Sequence, residues 1–173
     1  MLFTTHAITG ITIGVLTGNP ILAFVFGWIS HHILDSLPHF DQGSFYLEKD
    51  KGPSWLGIKQ KESGQKFKAC PRDWIILFFD IFIAGILLLY ILFNISFSLW
   101  LILFFGALGG LLPDILDVSP FWNKKFKATK IGGKFHQFHE FFHWPLTIKW
   151  IYLGIAIQII IVAIDLFYIG KFF

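Results

Sequence analysis

Residues Trp74–Phe93 read WIILFFDIFIAGILLLYILF, with Asp80 as the sole charged side chain. A helix of that length spans the roughly 30 Å apolar core of a bilayer. A helix also closes its own backbone hydrogen bonds where no water is at hand. The stretch therefore sets the expected fold class: an all-α, polytopic integral membrane bundle. Asp80 is the exception inside it, because an ionised carboxylate in a span is costly without a partner. It is expected either to hydrogen-bond a neighbouring helix or to reach toward a functional site.

The neighbouring runs agree. Phe97–Leu112 reads as a second, slightly short span, joined to the first by a tight connection at Asn94 and Ser96, and Leu146–Phe167 reads as another. The 173 residues are 55% apolar and only 14% charged, with a mean hydropathy of +0.65, whereas soluble domains carry about 25% charged residues. The length suits a single domain, 1–173. The first residues lack a basic n-region, so no cleavable signal peptide is expected. A lone Cys70 excludes a disulfide framework and a cysteine-based metal site.

Two polar stretches, Gln42–Arg72 and Ser119–Lys134, hold nearly all the basic residues; apart from Lys149 at the edge of the second, only Lys171 lies elsewhere. The positive-inside rule places both stretches in the cytoplasm, and the two spans between them satisfy the parity. Residues 42–72 are then a cytoplasmic polar loop, a lid or a headgroup-binding arm. The lysines there are interleaved with few aromatics, which suits anionic lipid headgroups and gives no support to nucleic-acid binding.

Ala7–Ile29 is apolar but broken by Gly18-Asn19-Pro20. Asn-Pro marks a turn, and the residue before proline avoids helical geometry. A helix from His6 to Thr17 would be roughly 18 Å long, too short to cross alone. The favoured reading is a re-entrant helical hairpin over 6–35, which returns His31 to the side of His6. Gly10, Gly14 and Gly18 share one helix face, as do Gly106 and Gly110, and such stripes let backbones approach closely in lipid.

All seven histidines fall in three places, each near carboxylates or the edge of an apolar run. His6 opens the chain. His31, His32 and His39 lie with Asp35 and Asp41, and His31-x-x-x-Asp35 puts two donors one turn apart on one face. His32 is an alternative to His31. His136, His139 and His143, at spacings of three and four, share a face of a short interfacial helix expected over 135–144, with Glu140 on a neighbouring angle. Asp114 and Asp117 sit where the Phe97–Leu112 span ends. Imidazole and carboxylate together suit zinc, manganese or iron. Metal ligands are therefore expected among His6, His31, Asp35, His39, Asp114, His136, His139 and His143, for one or two divalent ions, zinc first. Glu140, Asp41 or Asp117 would act as general base toward a metal-activated water. Asp165 has no histidine on its side of the membrane and receives no role. No phosphate loop, nucleophile elbow or Cys–His pair competes with this reading.

These residues resemble those of the membrane-bound metal-dependent hydrolases, which include LexA-regulated inner-membrane proteins of bacteria. The matching features are Thr5-His6-Ala7, Ser30-His31 with Asp35, Pro38-His39 and Asp41, and Gly106-Ala107-Leu108 leading into Pro113-Asp114 and Asp117, with a histidine cluster near the end. The likeness spans most of the chain outside 42–72. Where many members are similar in carrying His-Arg and Thr-His near the end, this chain has His136-Gln137-Phe138-His139-Glu140-Phe141-Phe142-His143. The spacing-four pairs also look like helix-borne ligands of the all-helical zinc-dependent phospholipases C. The resemblance implies a bacterial inner-membrane enzyme hydrolysing an ester or phosphoester, small or lipid-derived, at the cytoplasmic face. A divalent-metal or proton transporter, or a non-catalytic scaffold, is the rival expectation.

Overall fold

Gly18-Asn19-Pro20 is a turn between two helices. In the computed structural model of the protein, α1 (Phe3–Thr17) ends on Gly18, whose φ of 60° is the left-handed geometry glycine adopts freely. Asn19 then caps α2 (Pro20–Asp35), its Oδ1 accepting from the N–H groups of Ile21 at 2.9 Å and Leu22 at 3.1 Å, with Pro20 in the first turn. The start of α1 comes back against the end of α2, where His6 Nε2 lies 3.1 Å from Asp35 Oδ1. Gly18 thus terminates a helix and takes no part in the close-packing stripe expected of it. The structure describes residues 1–41, 44–45, 71–119 and 121–173. The expected loop 42–72 falls mostly outside them, and its last two residues belong to the next helix.

The remaining elements are α3 (Pro71–Asn94), α4 (Trp100–Asp117), α5 (Asn123–Lys127), α6 (Lys130–Phe142) and α7 (Ile151–Ile169), with 3-10 turns at Phe97–Leu99 and Ile148–Trp150. Among the described residues three segments are long and apolar enough to cross a membrane: Trp74–Asn94, Phe97–Asp117 and Ile148–Phe172. Two boundaries correct the sequence reading. The second span does not stop at Leu112, because α4 runs through Pro113 to Asp117. Proline there removes only the hydrogen bond to Gly109. The short histidine helix starts at Lys130 and ends at Phe142, so His143 leaves it in extended backbone.

Helix α1 lies at the centre, against α2, α3, α4 and α7. Its Ile8, Ile11 and Val15 form the apolar core with Ile91, Ile95, Leu103 and Ile169. On its other side glycines bring backbones into contact. A Cβ on Gly10 would run into the Gly106 carbonyl, one on Gly109 into the Phe24 carbonyl, and one on Gly110 into the carbonyl of His6. The stripes of small residues therefore weld α1 and α2 onto α4.

Polar groups inside the apolar helices serve α1. Leu2, at its N-cap, offers no side-chain acceptor. Asp80 of α3 does so instead: Phe3 N–H donates to Oδ2 at 2.7 Å, Thr4 N–H to Oδ1 at 3.1 Å, and the Thr4 hydroxyl to Oδ1 at 2.6 Å. This caps a helix terminus from a neighbouring helix and decides between the two expectations for Asp80. Gln158 of α7 accepts from Leu2 N–H and donates to the Phe40 carbonyl, both at 2.9 Å. Asp165 accepts from the Thr9 hydroxyl.

Gly106→Val should lower thermal stability in detergent by at least about 1–3 kcal/mol through overpacking, whereas Gly85→Val, which meets nothing within 4 Å, should leave the melting curve in place. Asp80→Ala should cost about 1–3 kcal/mol by orphaning buried N–H groups, with Asp80→Asn recovering part of the loss.

Candidate metal centre

The helical spacing of four in α2 sets His31 and Asp35 side by side, with His31 Nε2 3.2 Å from Asp35 Oδ2. The continuation of α4 through Pro113 swings Asp114 inward, and Asp114 Oδ1 lies 3.7 Å from His31 Nε2. Helix α6 brings His139, whose Nε2 is 3.2 Å from His31 Nε2, 3.1 Å from Asp35 Oδ2 and 3.6 Å from Asp114 Oδ1. All four side chains are buried, and their donor atoms lie within 4.8 Å of one another. This group could hold a metal ion.

Hydrogen bonding orients the rings toward that point. Nδ1–H of His31 donates to the Gly110 carbonyl at 2.8 Å, and Nδ1–H of His139 to Asp117 Oδ2 at 3.2 Å. Tethering one ring nitrogen to a carbonyl or carboxylate leaves the other as a directed donor to a metal. Four electron-rich atoms then face one another, which calls for positive charge among them. Burial disfavours an imidazolium at His139, but hydrogen bonds to Asp117 and Asp35 outweigh it and push its pKa up to about 10. A proton on His139 and a divalent cation compete for the same atoms.

The other expected residues fall around this group. His6 is fully buried, stacks on His31 with ring centroids 4.0 Å apart, and places Nε2 3.1 Å from Asp35 Oδ1 and 3.9 Å from Asp114 Oδ2. The nitrogen of Met1 lies 2.8 Å from the same Asp35 oxygen. Asp35, His39 and His143 form a second group, and Asp117, His136 and Glu140 a third. His136 and His139 share a face of α6, both bonded to Asp117 at 3.0 and 3.2 Å, and His139 also reaches Asp35; His143, beyond the helix end, departs from that face and is 3.0 Å from Asp41. Burial opposes ionisation in that last pair, yet the hydrogen bond between them holds Asp41 well below the usual carboxylate range and raises His143.

His31, not His32, points into the cluster. His32 packs against Trp28, Phe138 and Phe142 with neither ring nitrogen hydrogen-bonded. Two supporting groups escaped the sequence reading. The Gly110 carbonyl has no signature in a sequence. Gln158 does have one, as the amide inside the last apolar run. A third contact is non-local: His39 N–H donates to the Trp144 carbonyl at 3.2 Å and Leu146 N–H to the His39 carbonyl at 2.8 Å, a β-bridge between His39 and Pro145 that binds the end of α2 to the entry of α7. Comparison with protein-family models, curated proteins and solved structures finds no match to this chain.

Because a divalent cation must displace the His139 proton, metal uptake should release acid. Affinity should fall about tenfold for each unit of pH lost below the pKa of His139. Isothermal titration with zinc in buffers of different ionisation enthalpy reads both effects.

Proposed function

We propose that this protein is a membrane-embedded, metal-dependent hydrolase of the type its motifs resemble, acting on an ester or phosphoester at the cytoplasmic face of a bacterial inner membrane. The observation that carries the reading is the shape of the buried group. Four ligands at roughly 2.0–2.1 Å from a tetrahedral zinc ion stand about 3.3 Å apart. Five of the six separations among His31, Asp35, Asp114 and His139 run from 3.1 to 3.7 Å, and all lie within 4.8 Å. Two neutral imidazoles and two carboxylates also suit zinc in donor type and leave the ion electrically neutral.

A cation held there supplies Lewis acidity, polarising a substrate oxygen and acidifying water. The chain's own groups do the rest. Asp117 is engaged by His136, His139 and Lys127, so it is a positioning residue that holds His139. Glu140 is the carboxylate assigned to proton transfer, whereas Asp41, held ionised by its hydrogen bond to His143, is too weak a base for that role. Asp41 stands 3.6 Å from His39 and 3.0 Å from His143, and Glu140 stands beside His136.

Access from lipid follows from the exterior. Ile21, Leu22, Val25, Phe26, Ile29 and Ile33 of α2 are exposed, as are Phe78, Phe79 and Phe82 of α3. A hairpin with such an outer face lies in the bilayer and re-enters it. Lys124, Lys125, Lys127, Lys130 and Lys134 follow the Asp117 end of α4, and the positive-inside rule puts that end and its ligands in the cytoplasm. Exposed Phe121, Trp122 and Ile131 among those lysines suit an interfacial segment touching lipid. The hydrolase reading is preferred to a transporter because Asp80, Gln158 and Asp165, buried polar groups of α3 and α7 away from the metal group, are spent on contacts with the hairpin.

The purified protein should contain zinc and hydrolyse p-nitrophenyl esters or phosphoesters or a fluorogenic phospholipid. His31→Ala should abolish both properties, and Asp117→Asn should weaken metal affinity about 10–100-fold. Zinc flux into proteoliposomes without hydrolysis would make the protein a transporter. Native protein that retains no divalent metal at all would overturn the reading.

A further inference from the structure

Asp35 presents its two oxygens to two different sets of side chains. Oδ2 faces His31 and His139, as described. Oδ1 faces the other way, toward His6 at 3.1 Å and His39 Nε2 at 4.0 Å. Past His39 lies Asp41, whose Oδ2 is 3.6 Å from His39 Nε2 and 3.0 Å from His143 Nε2. The donor atoms of Asp35, His39 and His143 all fall within 4.8 Å of one another.

His39 supplies the independent observation. Its ring is fully buried, and Nδ1–H donates to the Leu37 carbonyl at 2.8 Å. Nε2 is therefore a bare acceptor, and it has no hydrogen-bond partner. A buried polar atom left this way costs about 1–3 kcal/mol. The backbone behind the ring is held in place, since the His39 N–H and carbonyl are both bonded to the 144–146 segment. This is the tethering already seen at His31 and His139, one nitrogen fixed by an oxygen and the other directed at a carboxylate. The Met1 nitrogen sits against Asp35 Oδ1 and contributes positive charge, but it leaves His39 Nε2 unsatisfied.

We propose that Asp35, His39, Asp41 and His143 form a second divalent-cation position, with the Asp35 carboxylate bridging it to the first. The inference rests on the functional reading above, because a bridge needs the first ion on its far side. The pair would then be a two-cation centre, the arrangement that clamps both the attacking and the leaving oxygen in a displacement.

Metal content separates the two ideas. The full chain, purified in detergent, stripped and reloaded with zinc, should hold two equivalents by elemental analysis. His39→Ala and Asp41→Asn should each hold one, with the tighter equivalent retained. Loaded with manganese, the native protein should give the broadened spectrum of a spin-coupled pair in electron paramagnetic resonance. A native protein that binds one equivalent, and shows the sharp hyperfine pattern of isolated manganese, overturns the second position and leaves the first standing. Binding of none overturns both. If His39→Ala fails to fold, Asp41→Asn and the native manganese spectrum decide.

Discussion

Everything in this molecule depends on how closely two helix backbones approach. At Gly10 and Gly106 there is no room for a Cβ between α1 and α4, and Gly27 and Gly109 do the same for α2. That approach lets donors from residues 6, 31, 35 and 114 reach a common point. Gly110 shows the connection most directly. Its missing side chain admits the carbonyl of His6, and its own carbonyl holds Nδ1–H of His31. Packing and ligand orientation thus share one residue, and a methyl group there would disturb both.

The second constraint is charge. Asp35 has no exposed surface. Burying an ionised carboxylate costs several kcal/mol unless positive charge and hydrogen bonds accompany it. The protein gathers imidazoles from three regions around it, and the same gathering builds a ligand set. Stability and chemistry are therefore coupled here, since whatever balances the charge of Asp35 also consolidates the contacts among α2, α4 and α6.

Much of this was legible in the residues. The run 74–93 identified a helix that matches a membrane, Gly18-Asn19-Pro20 identified a turn, and the spacing of His31 and Asp35 placed two donors together. The limits are equally physical. Asp114 was expected at the site, but the span was expected to end at Leu112; one hydrogen bond lost at Pro113 does not end a helix whose neighbours hold it in place, so its setting inside α4 was not visible. The three late histidines have the periodicity of one face, but α6 unwinds at His143 because that segment pairs with His39. Such pairing spans about a hundred residues of chain and leaves no local pattern. The role of Asp80 was one of two open expectations, because a cap supplied across helices has no spacing rule.

Asp80 also bears on the order in which the chain can mature. The hairpin is synthesised first, yet the acceptor for its opening N–H groups is supplied by α3, and its flank is closed by α4. As the nascent polypeptide emerges, residues 3–35 have no finished seat until some eighty further residues have followed. The early segment therefore lacks its packing partners until those helices have been made. The ligand cluster comes into being as one of the last events of biogenesis, when α6 arrives with His139.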